Sequence, residues 1–125
     1  MPPTAEGFTS QGSYAPDALI AGEYPRATRM VTITGGNFVR GTLMGVITAS
    51  GKYTKSIAAS SDGSEVPDSI LDADTDASGG DKTAAVNLTG EFNEAGLVFG
   101  AGHSIASVRQ GLRKIGIFLR KVVAA

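Results

Sequence analysis

Apolar and polar residues alternate in several short runs of this chain, and glycines separate the runs. In RMVTIT (residues 29–34) Val31 and Ile33 fall on one side and Thr32 and Thr34 on the other, before Gly35-Gly36 ends the run. A period of two belongs to a strand with one buried face. The stretch RGTLMGVITASGKYTKSI (40–57) reads as two strands around a turn at Ser50-Gly51, where glycine can supply a positive φ. DSILDA (68–73) is a shorter apolar run. TAAVNLTGEF (83–92) is the cleanest alternation, with Ala84, Val86, Leu88 and Phe92 on one face and Thr83, Asn87, Thr89 and Glu91 on the other. It predicts one half-buried strand.

The period then changes. In IASVRQGLRKI (105–115) Ile105, Val108, Leu112 and Ile115 form a helical stripe, Ser104 stands where an N-cap belongs and Gly116 where a left-handed C-cap belongs. Arg113 and Lys114 in the last turn suit the negative end of the helix dipole. Gly111 inside the helix costs about 1 kcal/mol relative to alanine, which predicts close backbone packing there. IFLRKVV (117–123) resumes as a terminal strand.

Residues 1–17, MPPTAEGFTSQGSYAPD, show neither period; three prolines, two glycines and small polar residues make up an extended arm. Such a segment needs something to tie it down before it orders, which hints at a partner. The elements sum to an α+β, β-rich fold: a small β-barrel-like domain over residues 18–125, with one main helix near the C-terminus, behind an extended N-terminal arm over residues 1–17.

Composition narrows the chemistry. One domain of 125 residues buries a core without staples, and the absence of cysteine removes disulfides, thiolate nucleophiles and cysteine metal sites. A formal net charge of -1 gives no general attraction to nucleic acid or membrane, and no stretch of eighteen apolar residues or basic-then-apolar leader is present. The charges are balanced in sum but sorted along the chain. Arg26 to Lys55 carries only bases, Asp62 to Glu94 carries nine acids against Lys82, and Arg109 to Lys121 carries five bases. These blocks fit cross-sheet complementarity within one fold, or opposite patches meeting between copies, where charge sets orientation.

Among candidate sites, DADTDASGGD (72–81) opens like a calcium loop. Aligning Asp72, Asp74 and Asp76 with the first ligands, however, puts Ala77 where glycine is required and Thr83 where a bidentate glutamate must stand. The residues read instead as the polar face of a strand end followed by a loop, and no metal site is expected. His103, the only histidine, lies beside Ser104 in GAGHS. Sequence neighbours rarely meet the geometry of a nucleophile, base and orienting acid, and the segment lacks the context of a phosphate cradle; a capping or loop role is expected. Glycoside chemistry would need carboxylates from 62–94 without any tryptophan platform. The bases of RQGLRKIGIFLRK have only Phe118 for base stacking and read as a solvated helix face formed by Arg109, Arg113 and Lys114. No catalytic residues, cofactor or nucleic-acid partner is expected.

Taken in order, AGEYPR (21–26), RGTLMG (40–45), ASGKY (49–53), SDGS (61–64), ILDADTDA (70–77) and VNLTGEFN (86–93) give residues 19–100 a specific pattern, which resembles the lambda-type bacteriophage head-decoration proteins. VRQGLRKIGIFL (108–119) is similar to that family's final helix and strand. The resemblance implies a non-enzymatic virion protein, assembled in the host cytoplasm, that forms homotrimers on the outer surface of the expanded head. Its members sit at threefold and quasi-threefold positions and clamp major capsid protein subunits against packaged-DNA pressure. It also implies that the aspartate stretch is a strand edge and loop, and that the arm orders on the capsid by adding a strand. Phe8 and Tyr14 in the arm, with Leu19 and Ile20 at its root, are the candidate capsid-binding residues; their own body is the competing place for them to pack. Two other classes fit the residues: a tail or spike component, and a small ligand-binding or hydrolytic domain using His103.

Overall fold

The computed structural model describes residues 19–21 and 24–121. Its elements in chain order are β1 (Thr28–Ile33), β2 (Asn37–Phe38), β3 (Leu43–Val46), β4 (Tyr53–Lys55), β5 (Ser69–Leu71), β6 (Thr75–Asp76), β7 (Lys82–Asn87), β8 (Gly90–Asn93), a 3-10 turn (Glu94–Gly96), α1 (Ile105–Lys114) and β9 (Ile117–Arg120). Five strands close a barrel in the order β1-β4-β3-β5-β7. The longest seam is antiparallel, from Thr28 opposite Asn87 to Ile33 opposite Lys82, while β1 meets β4 in parallel at Ile33 and Tyr53. Closure leaves this sheet no free edge to pair with another chain.

Two apolar clusters sit on either side of the barrel wall. Val31, Ile33, Met44, Tyr53, Leu71, Ala77, Ala84 and Val86 fill the inside. Leu19, Leu43, Ile70, Phe92, Leu97, Val108, Leu112, Ile117 and Leu119 fill the space between the barrel and the layer made by α1, β8 and β9. Adjacent residues divide between the clusters: Leu43 and Ile70, paired across β3 and β5, face α1, while Met44 and Leu71 face inward. That is why these strands read as unbroken apolar runs; both faces are covered. The alternation of Val31 and Ile33 is that of a strand with one buried face, and both lie inside.

The run 83–92 is not one strand. It splits into β7 and β8 at Thr89-Gly90, where Gly90 takes φ +145 and a Cβ would stand 2.9 Å from the Phe92 ring. β8 turns away to pair in parallel with β9, from Gly90 opposite Ile117 to Asn93 opposite Arg120. Asn87, expected on a polar face, is fully buried instead. Its amide nitrogen donates to the Ile70 carbonyl at 3.3 Å and to Asp72 Oδ1 at 3.1 Å, and its oxygen accepts from Arg26 Nη1 at 3.0 Å. A buried amide so satisfied carries no unmet desolvation cost.

The helix ends where its local residues dictate. Ser104 caps it, its side chain accepting from the Ser107 N–H while Ser107 returns a bond to the Ser104 backbone, and Gly116 closes it at φ +90. Val108 and Leu112 are buried, whereas Ile115 is 43% exposed. The close packing expected at Gly111 is absent: a Cβ there would meet nothing within 4 Å.

Candidate interaction surfaces

Each aspartate of the 72–81 stretch is committed locally. Asp72 accepts from Asn87 and lies 3.5 Å from Arg26 and 3.6 Å from Arg40. Asp74 Oδ1 accepts the Arg40 N–H at 2.7 Å, holding the chain before β3. Asp76, in the two-residue strand β6 that pairs with β2, accepts from the Ser78 hydroxyl and from the Ser78 N–H at 3.0 Å; those bonds, the hydroxyl's first, hold its carboxyl below the ordinary range. Asp81 is lowered in the same direction by the Lys52 ammonium 2.6 Å away. Strand edge and loop is therefore what these residues build. Among the described residues no three acids or histidines gather in a way that could hold a metal ion.

His103 meets a serine, but not its neighbour. Ser104 is spent on the helix cap, and His103 Nε2 lies 3.1 Å from Ser56 Oγ. Ser56 is fully buried, and among the described residues no carboxylate bonds the ring to orient it. A nucleophile that no substrate can reach performs no acyl transfer; the pair ties the 101–103 turn to the end of β4.

At the root of the arm, Leu19 is 3% exposed and belongs to the cluster under α1. Ile20 packs against the same cluster and bridges antiparallel to Phe92, the Leu19 carbonyl accepting from Asn93 N–H at 2.7 Å and the Ala21 N–H donating to the Glu91 carbonyl at 3.0 Å. The root is thus a short third strand beside β8. Phe8 and Tyr14 lie outside the described residues.

The sorted charge blocks find one another within the chain. Arg26 and Arg40 with Asp72, Lys52 with Asp81, Arg109 with Glu94 at 2.6 Å and Arg120 with Glu91 at 3.3 Å each join a basic block to the acidic one. Arg109, though its side chain is 41% exposed, is committed rather than free: it also donates to the Leu119 carbonyl at 2.9 Å, occupying a backbone acceptor of β9. Arg113 and Lys114 do stay exposed.

Two depressions mark the outside. One, of about 530 Å³, lies over β1, β6 and β7 around the exposed Met30. The other, about 180 Å³, runs between α1 and the 66–68 segment, lined by Val66, Asp68, Gly111 and Ile115 among others. Val66 is 63% exposed. Asp68 takes a hydrogen bond from the Tyr53 hydroxyl, and burial outweighs that bond and the nearby Arg29 charge, raising its pKa. No motif announces this groove; its one signal in the sequence is a glycine in the helix interior at 111, which lines open space instead of a close contact.

A closed five-stranded barrel with one covering helix, five of its bases paired with its own acids, defines a small β-module. A family model for bacteriophage lambda head decoration protein D matches residues 9–117, and the chain belongs to that family. The match includes Tyr14 and the second half of the arm, and leaves out Phe8 and most of β9. A search of curated proteins found no match. Membership places the protein among structural proteins of the phage head. No described helix is long and apolar enough to cross a membrane.

Proposed function

We propose that the protein acts by adhesion, as a non-enzymatic cement on the outer surface of the expanded head. Three copies assemble at threefold and quasi-threefold positions, grip neighbouring major capsid protein subunits and hold them against the pressure of packaged DNA. The observation that carries this reading is the family match across arm and body together, residues 9–117. The division into an arm over 1–17 and a body over 18–125 follows from the same reading.

The energetics assign the arm's residues. A strand added to a capsid edge gains about 1 kcal/mol net per hydrogen bond, while ordering each residue costs about 1–2 kcal/mol. Backbone pairing therefore breaks even, and side chains must supply the surplus. Phe8 and Tyr14 can each contribute about 1.5–3 kcal/mol when fully buried. Leu19 and Ile20 act in this scheme as the anchor, fixing the point from which the arm departs. Three linked arms raise the effective concentration of each, so modest single contacts become durable.

The test is occupancy. Purified protein incubated with emptied, expanded heads should cosediment with them at three copies per threefold position, and should not cosediment with purified tails. Binding to tails in preference to heads, or occupancy that is not a multiple of three, refutes the reading.

A further inference from the structure

The barrel closes on itself, but the layer beside it does not, and β9 is that layer's last strand. It pairs with β8 alone, and the Gly116 carbonyl accepts the Gly90 N–H at 3.0 Å, so Gly116, Phe118 and Arg120 turn their backbone groups toward β8. Ile117 and Leu119 then turn theirs outward, because neighbouring residues of a strand bond on opposite sides. The run IFLR and the KVV that follows it are rich in residues that favour strand pairing. Among the described residues one hydrogen bond falls on this outward side, from Arg109 Nη1 to the Leu119 carbonyl at 2.9 Å. Its donor comes from the first half of α1, not from a strand. The other end of the guanidinium, Nη2, is held at 2.6 Å by Glu94, whose side chain is only 15% exposed. An arginine bent onto an edge carbonyl and clamped there by an acid does what a solvated helix face has no need of.

We propose that Arg109, clamped by Glu94, guards the open edge of β9 and keeps copies of the chain from joining there. An incoming strand has to offer an N–H to the Leu119 carbonyl, which the guanidinium already occupies. Displacing it exchanges a charge-assisted bond, roughly twice as strong as a neutral one, for an ordinary amide bond. It also strands the mostly buried Glu94 carboxylate without its partner, which is costly. The strand kept out is a second β9. Antiparallel pairing about a two-fold at Leu119 would let two copies exchange N–H and C=O at that residue and set Ile117 of each opposite Lys121 of the other. Such a pair satisfies the outward groups of both copies at once, and Arg109 stands at its centre. Arg120 reaches the other way, to the Ala21 carbonyl at 3.2 Å and to Glu91, and so braces β9 inward and leaves the edge to Arg109. The guard is independent of what the protein grips, since it concerns a contact that the chain avoids.

Arg109→Leu uncovers the edge. The variant should keep the parent's circular dichroism spectrum and associate about tenfold or more tightly than the parent in analytical ultracentrifugation. Lys121, exposed beyond the end of β9, is replaced in both backgrounds by the photo-crosslinking residue p-benzoylphenylalanine. On irradiation the Arg109→Leu form should yield an adduct of twice the chain mass joined within residues 117–121, and the parent form should yield far less. Arg113→Leu adds the same apolar surface to an exposed position of α1 and should leave both readouts at the parent's level. Arg109→Leu that keeps the parent's mass and gives no adduct overturns the proposal. So does an adduct of equal yield in both backgrounds, or one joined outside β9. If Arg109→Leu fails to fold, Glu94→Gln decides: it removes the charge that clamps the guanidinium and should raise association and adduct yield together, and no rise refutes the guard.

Discussion

Ser69 is fully buried at the start of β5, and its hydroxyl is without a hydrogen-bond partner among the described residues. A buried hydroxyl left unsatisfied costs about 1–3 kcal/mol, and alanine removes the oxygen while leaving only a small void. Ser69→Ala is therefore expected to raise the denaturant midpoint, by about 1 kcal/mol of stability. A lower midpoint would mean that the hydroxyl has found a partner. Asn87, fifteen positions past Asp72, is the opposite case: equally buried, but bonded to Ile70, Asp72 and Arg26. Neither residue was legible in the sequence. Alternation assigns a polar residue to the wet face by default, and only the long-range partners reveal that it is dry and satisfied. Val31, Ile33, Val86 and Phe92 were legible because apolar residues at period two have one place to go.

The helix is the element read most completely, because its signals are local. Ser104, the Val108 and Leu112 stripe and Gly116 lie within thirteen residues of one another and need no partner elsewhere to define start, face and stop. The two glycines separate cleanly in their consequences. Gly111→Ala is expected to stabilise the single protomer by about 1 kcal/mol, since the added methyl gains helix propensity and meets nothing. Gly116→Ala is expected to cost about 1–2 kcal/mol, because an L-residue at φ +90 is strained. Thermal melts at low protein concentration check both signs; a destabilising Gly111→Ala would restore the close packing that the sequence suggested. The 83–92 run was misread for a related reason. Its period continues unbroken through Thr89-Gly90, and the break comes from tertiary competition, in which β8 leaves the barrel to pair with β9 and the arm's root.

At the scale of the whole molecule, closure of the barrel depends on pairings no local pattern announces, above all the parallel contact of β1 with β4. The charge blocks were visible, but which reading they supported was not; within the described residues they pair across the fold, so the body carries its own electrostatic complement. The place where body ends and grip begins has a sharper consequence. Leu19 belongs to the core under α1, and Asn93 and Glu91 bond the backbone on either side of Ile20. Removing residues 1–17 leaves Leu19 and Ile20 in place, so the truncated protein is expected to stay folded and to lose binding to expanded heads. Removing residues 1–20 takes Leu19 and Ile20 from the core as well, a loss of about 2–5 kcal/mol by analogy with large-to-small core substitutions, and should lower the melting temperature by several degrees or more. Melting curves and cosedimentation on the two truncations together locate the boundary. Undiminished head occupancy after the shorter cut would move the grip out of the arm and onto the barrel, where the Met30 depression would be the surface to examine.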